Sequence, residues 1–296
     1  MNPESKHPWL AQTALLAAAL IWGFAFVAQR SAMQFIGPFA FNGLRFLLGA
    51  AVLLPVAWAA RRSGRVPPIT ASTAVGAALA GVVLFAAATL QQVGLVYTTA
   101  GKAGFLTGLY VVLIPLLGLF AGHRPRATVW AGALLAAGGT YLLSGDASGP
   151  ASTGDVLVLI GALGWAIHVQ LVGRLIRRGS PITIAIVQNA VCGGLSLAVS
   201  FATEHTTGSG VYASLPALLF AGILSVGVAY TLQIVGQRHI EPERAGILTS
   251  LESVFAAVAG WAVLHEPLGG RILAGCALMF LGMLLCQWRR KPSRQM

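Results

Sequence analysis

Residues 244–267 read RAGILTSLESVFAAVAGWAVLHEP, and a matching stretch stands 142 positions earlier, KAGFLTGLYVVLIPLLGLFAGHRP at residues 102–125. Ala103/Ala245, Gly104/Gly246, Leu106/Leu248, Thr107/Thr249, Leu109/Leu251, Val112/Val254, Gly118/Gly260, His123/His265 and Pro125/Pro267 are identical across the two. Each copy is apolar over about 20 residues, the length a helix needs to cross the hydrocarbon of a bilayer. A chain that carries such a segment twice is constrained on two counts. It folds in lipid, and it folds as a duplication.

Composition supports the first constraint. The 296-residue chain is 56% hydrophobic and 9% charged, where a soluble domain carries about 25% charged residues. A formal charge of +11 raises the possibility of a nucleic-acid partner. Nearly every Lys and Arg, however, stands at the end of an apolar run, where topology signals belong. No nucleic-acid partner is expected; the bilayer is the partner. Cys192, Cys276 and Cys286 lie scattered within apolar runs, with neither a metal spacing nor a disulfide framework.

The apolar runs predict ten spans, at 10–29, 39–60, 73–97, 102–121, 127–143, 154–174, 182–202, 214–235, 244–264 and 270–288. The first is too long for a signal peptide and is followed by no small-residue cleavage site. Helices are expected, because lipid offers no partner to open strand backbone, and the alternating ten-residue segments of a barrel are absent. A polar stretch rich in Gly, Ser and Pro begins at residue 144 and reads as a linker over 144–153. It separates a first five-helix repeat, 10–143, from a second, 154–288. The duplication runs through both: Trp22/Trp165, Pro38/Pro181, Gly132/Gly275 and Gly139/Gly282 match at an offset of 143, and Gln91/Gln233 and Gly94/Gly236 at 142. An odd number of spans per repeat makes the repeats inverted, as in many secondary transporters.

Loop charges test the topology independently. With the N-terminus in the cytoplasm, fifteen of the 19 Lys and Arg fall on the cytoplasmic side, while Arg30, Lys102 and Arg271 fall outside and Arg45 lies within a span. This is a positive-inside bias, and it places both termini in the cytoplasm.

Polar groups at membrane depth are costly and each needs a reason. Arg45 and Glu252 are the formal charges well inside apolar runs; they either contact substrate or hold helices together as a buried pair. His168 is either a proton relay or a hydrogen-bonded packing residue. Trp22 and Trp165 lie away from the span ends, so they line a cavity or fill space between helices. Tyr110 is the repeat equivalent of Glu252. Gln91, Gln92, Gln188, Asn189 and Gln233 either bind a polar solute or join neighbouring helices. The candidate substrate-binding set is Trp22, Arg45, Gln92, Tyr110, Trp165, His168, Gln188 and Glu252. Gly104-x-x-x-Gly108 and Gly118-x-x-x-Gly122 permit close helix approach within the bundle, and a monomer or weak dimer is expected. The chain has no HExxH, Walker-type or GxSxG motif and no metal-ligand spacing, so no catalytic residue, metal or cofactor is expected.

With these residues in view, the chain resembles an EamA-type member of the drug/metabolite transporter superfamily over about residues 10–288. The pattern from Ala245 to Pro267 carries the likeness, with Leu251-Glu252, Val254-Phe255-Ala256 and Glu266. Family members often read Leu-Glu-Pro-Val-Phe and Gly-Glu there; Ser253 replaces the proline and His265 the glycine, which removes the basis for a proline kink in span nine. Within the superfamily the chain looks most similar to the YddG-like amino-acid exporters. The resemblance implies an all-α membrane protein of ten transmembrane helices, built as two inverted five-helix repeats around a central cavity in a bacterial inner membrane. Small four-helix multidrug relatives rely on a glutamate in their first helix; span one here has no carboxylate, so their proton exchange does not carry over. The expected function is alternating-access export of amino acids (aromatic, Met or Thr among them) and similar small metabolites. Alternatives are efflux of cationic drugs, a membrane-embedded lipid-modifying enzyme, and a structural subunit. The duplication favours transport, since alternating access needs two similar halves.

Overall fold

The computed structural model describes residues 8–64, 66, 68–98, 100–120, 122, 124–143, 152–264 and 269–287. Most of the linker, His123, the His265-Glu266-Pro267 triplet and the side chains of Lys102 and Cys286 lie outside the described residues. Every regular element among the described residues is helical. These are α1 (Pro8–Ala32), α2 (Pro38–Arg62), α3 (Ala71–Tyr97), α4 (Ala100–Gly108), α5 (Tyr110–Phe120), α6 (Ala127–Leu143), α7 (Thr153–Leu175), α8 (Pro181–Thr203), α9 (Gly208–Ala213), α10 (Leu215–Leu219), a π-helical segment (Phe220–Ala229), α11 (Tyr230–Gln237), α12 (Pro242–Thr249), α13 (Glu252–Leu264) and α14 (Gly270–Gln287). Among the described residues, six helices are long and apolar enough to cross a membrane: Trp9–Ala32, Pro38–Arg62, Ala71–Tyr97, Thr153–Leu175, Pro181–Thr203 and the composite Leu215–Gln237. Shorter apolar helices run over Leu106–Phe120, Ala127–Leu143 and Gly270–Leu285.

Local chemistry sets the ends. Pro38, Pro181 and Pro242 open α2, α8 and α12, where a missing N–H and a fixed φ cost nothing. Ser152 and Asp155 close a capping box on α7, with Asp155 N to Ser152 Oγ at 3.1 Å and Ser152 N to Asp155 Oδ2 at 2.9 Å. The N-terminus of α2 is capped from a distant part of the chain. Glu204, just past α8, accepts the Phe39 amide at 2.9 Å and the Ala40 amide at 2.8 Å. A carboxylate there satisfies orphan donors and complements the positive end of the helix dipole.

Two spans expected to be continuous are broken, and they are the duplicated pair. The first breaks at Leu109, between α4 and α5; the second at Ser250–Leu251, between α12 and α13. Leu109 and Leu251 are repeat equivalents. At the second, Thr249 Oγ1 donates to the carbonyls of Ala245 (3.0 Å) and Gly246 (3.2 Å), and Ser250 Oγ to that of Ile247 (2.9 Å), while the Ser250 amide keeps its bond to the Gly246 carbonyl at 2.9 Å and the Leu251 amide turns to that of Leu248 at 3.4 Å. The break stands without the proline that Ser253 replaces.

Lipid gives apolar helix surfaces no reason to leave it, so helices associate by close packing at small residues. α6 and α14 meet through glycines: a Cβ on Gly139 would lie 2.6 Å from the Gly275 carbonyl, and one on Gly282 would lie 2.6 Å from that of Gly132. α3 meets α7 at Gly94, where a Cβ would lie 2.9 Å from the Gly154 carbonyl. The corresponding crossing in the second half sets Gly236 of α11 against α1, 3.1 Å from the Ala11 carbonyl. Packing is thus duplicated like the sequence. α3 lies along α7 as α11 and the π segment lie along α1; α5 lies on α7 as α13 lies on α1; α2 pairs with its own equivalent α8, and α6 with α14. The elements carrying Trp22, Arg45, Tyr110, Trp165 and Glu252 therefore converge on the middle of the bundle.

Candidate functional site

A central cavity opens between α1, α2, α3, α4, α5, α7, the π segment, α11, α12 and α13, with about 560 Å³ of atom-free space, its mouth included. Arg45, 3% exposed, stands on its wall. Its Nε donates to Asn42 Oδ1 one turn earlier at 3.0 Å, and Asn42 Nδ2 donates to the Ala88 carbonyl of α3 at 3.2 Å. The guanidinium carbon lies 4.9 Å from the Phe46 ring centroid and 5.3 Å from that of Phe41, close enough for cation–π attraction. No carboxylate among the described residues forms an ion pair with it. The hydrogen-bonded anchor orients the group and leaves its terminal donors for the cavity.

Glu252, 7% exposed, begins α13 immediately after the helix break and lines the same cavity. The Tyr110 hydroxyl, on the same wall, donates to Thr249 Oγ1 at 3.1 Å. Arg45 and Glu252 thus share one cavity without forming a salt bridge.

The apolar wall is aromatic. Tyr230 sits between the two repeat-equivalent tryptophans, edge-on to Trp22 at 5.0 Å and stacked on Trp165 at 6.2 Å between centroids. Trp22 Nε1 donates to the Ser225 carbonyl in the π segment at 3.2 Å. Wide π turns recur at functional sites because they offset the side chains and carbonyls of one helix face.

Of the eight candidates, Trp22, Arg45, Tyr110, Trp165 and Glu252 line the cavity; Gln92, His168 and Gln188 do not. His168 lies behind the wall, its ring 6.3 Å from Tyr230, with Nε2 3.2 Å from Gln188 Oε1. Gln92 is buried with neither side-chain atom partnered among the described residues. Phe26, Gln29, Thr107, Val169, Ser225, Tyr230 and Thr249 join the wall beyond the candidates, together with Gln91 and Gln233. The duplication held a signal for some of them. Trp22/Trp165, Gln91/Gln233, Thr107/Thr249 and Tyr110/Glu252 are all repeat pairs with both members on the wall. Tyr230 had none, since its equivalent is Ala88. No group of three His, Cys, Asp or Glu able to hold a metal occurs among the described residues.

A helical bundle of membrane-spanning segments, duplicated in sequence and enclosing a cavity lined by aromatic and buried polar side chains, is a membrane transporter in build. The chain belongs to the EamA-like transporter family, which matches it twice, over residues 9–145 and 152–287. It is similar to an uncharacterized transporter of Archaeoglobus fulgidus, with 31% identity over 94% of this chain and 86% of the relative. The uncharacterized inner membrane transporter YedA of Escherichia coli K12 is 28% identical over 92% of this chain and 87% of its own. YoaV, an uncharacterized transporter of Bacillus subtilis, is 24% identical over 92% and 94%. A solved crystal structure shares the fold with a TM-score of 0.76 at 22% identity, covering 94% of this chain and 96% of that one.

Proposed function

We propose that this transporter exports amino acids and related small metabolites across a bacterial inner membrane by alternating access. In this reading the chain is ten spans in two inverted five-helix repeats, 10–143 and 154–288, with both termini in the cytoplasm, and its nearest functional kin are the YddG-like exporters. The observation that carries the substrate assignment is the cavity's pair of unlike charges. Arg45 and Glu252 line one space without bonding each other. An amino acid is a zwitterion. Arg45 offers a planar fork of donors to its carboxylate, Glu252 an acceptor to its ammonium, and Trp22, Tyr230 and Trp165 a wall tolerant of varied side chains.

Efflux of cations is the second reading, favoured by Glu252 beside three aromatic rings. A ligand panel separates the two. Binding to the folded state raises the melting temperature of the detergent-solubilised protein. The amino-acid reading predicts a rise with phenylalanine or methionine and a much smaller one with the decarboxylated amines. Equal or greater stabilisation by the amines would support cation efflux and remove Arg45 from substrate recognition.

A further inference from the structure

One glutamine–threonine pair occurs in each repeat: Gln91 with Thr107, and Gln233 with Thr249, each residue 142 positions from its equivalent. All four are buried and all four line the central cavity. The identical pairs are bonded differently. Gln91 Nε2 donates to Thr107 Oγ1 at 3.1 Å. Gln233 makes no bond to Thr249; its Oε1 is buried without a partner among the described residues. Thr249 Oγ1 instead accepts the Tyr110 hydroxyl at 3.1 Å, and the second-repeat equivalent of Tyr110 is Glu252.

We infer that these residues form an exchangeable interlock in which each threonine changes partner as the transporter changes the side it faces. The inference rests on the alternating access proposed above. In the exchange inferred here, each repeat takes up in the opposite-facing state the local conformation that the other repeat has in this one. Bonds that differ between identical residues mark where the two conformations differ. Exchange then specifies the other state completely. Gln233 Nε2 donates to Thr249 Oγ1, Gln91 releases Thr107, and the Thr107 hydroxyl donates to the Glu252 carboxyl, as the counterpart of the Tyr110–Thr249 bond.

The position of the threonines makes the exchange consequential. Thr107 stands two residues before the break at Leu109, and Thr249 directly before the break at Ser250–Leu251. The two broken helices meet there, with a Cβ on Gly108 falling 3.6 Å from Ser253 Oγ. A partner change at either threonine acts where its helix turns.

The test uses the full chain with Cys192, Cys276 and Cys286 replaced, and a single reporter, Phe26→Cys or Val169→Cys. These two are repeat equivalents on the cavity wall. A membrane-impermeant maleimide is applied to right-side-out and inside-out vesicles. Gln91→Leu removes a bond of the present state alone; Gln233→Leu removes a bond of the opposite state alone. The ratio of inside to outside labelling is expected to shift in opposite directions in the two variants, each by about three- to tenfold, the weight of one hydrogen bond. The double variant returns towards the background, and Thr107→Val, which loses one bond in each state, shifts the ratio less than either. Gln91→Met and Gln233→Met make the same comparison if a leucine variant does not reach the membrane. Shifts in the same direction, or none, in a protein whose background labels alternately would overturn the interlock and leave alternating access standing. A background labelled from both sides at once would overturn alternating access itself.

Discussion

Arg45 and Glu252 are the two residues on which the substrate reading turns. Neither has a salt-bridge partner among the described residues, and both line the same cavity. Arg45→Gln and Glu252→Gln are expected to reach the membrane at normal abundance and to lose transport by about 10- to 100-fold, the weight of one charge-assisted hydrogen bond. The loss in Arg45→Gln should be larger for amino acids than for analogues without a carboxylate. Quantitative blots and initial flux rates check both. Normal transport in both variants, or absence of both from the membrane, would contradict the assignment. The two charges were legible in the sequence because charge at membrane depth is conspicuous. Tyr230 was not, being one aromatic in an apolar helix with an alanine as its repeat mate. His168 was conspicuous for the same reason as the charges, yet it lies behind the cavity wall: depth in the membrane does not say which face of a helix a residue occupies.

At the scale of elements, the glycine crossings and the cap on α2 hold the bundle. Gly139→Leu would drive a side chain into the Gly275 carbonyl of α14, where even a Cβ lies 2.6 Å away. Loss of about 1–3 kcal/mol is expected, typical of overpacking, read as a lowered melting temperature in detergent. Gly138→Leu is the control, because a Cβ there meets nothing within 4 Å. Glu204→Ala leaves the Phe39 and Ala40 amides without their acceptor, with an expected cost of about 1 kcal/mol; an unchanged melting temperature would show that solvent replaces it fully. In the sequence Gly132/Gly275 and Gly139/Gly282 marked only the duplication; that the two glycine pairs pack against each other is seen only in the structure. The breaks at Leu109 and Ser250–Leu251 were hidden, since hydropathy runs unbroken through both and the family's proline is absent at Ser253. At the second break the Leu251 amide turns to the Leu248 carbonyl, a local change of backbone bonding that periodicity does not register.

For the whole molecule, the duplication that runs through the sequence recurs in the packing, and opposite charges lie on opposite repeats. Arg45 has Gln188 as its equivalent, and Glu252 has Tyr110, so the cavity is polarised by one cation from the first half and one acid from the second. In the proposed function, such a polarised cavity orients a zwitterion in one direction while the two halves rock about it. The predicted topology is checked by reporter fusions after residues 65, 150 and 290, which should read inside, outside and inside; an outside signal at 290 would exclude an even number of spans and with it the inverted repeat. The most direct measurement of the central claim is flux of radiolabelled amino acids in liposomes containing the purified protein alone, with and without a pH gradient. The account predicts saturable phenylalanine or methionine flux that exceeds protein-free liposomes, is competed by unlabelled amino acids, and falls at least tenfold in Arg45→Gln. Flux indistinguishable from protein-free liposomes, or flux that neither saturates nor responds to Arg45→Gln, would contradict it.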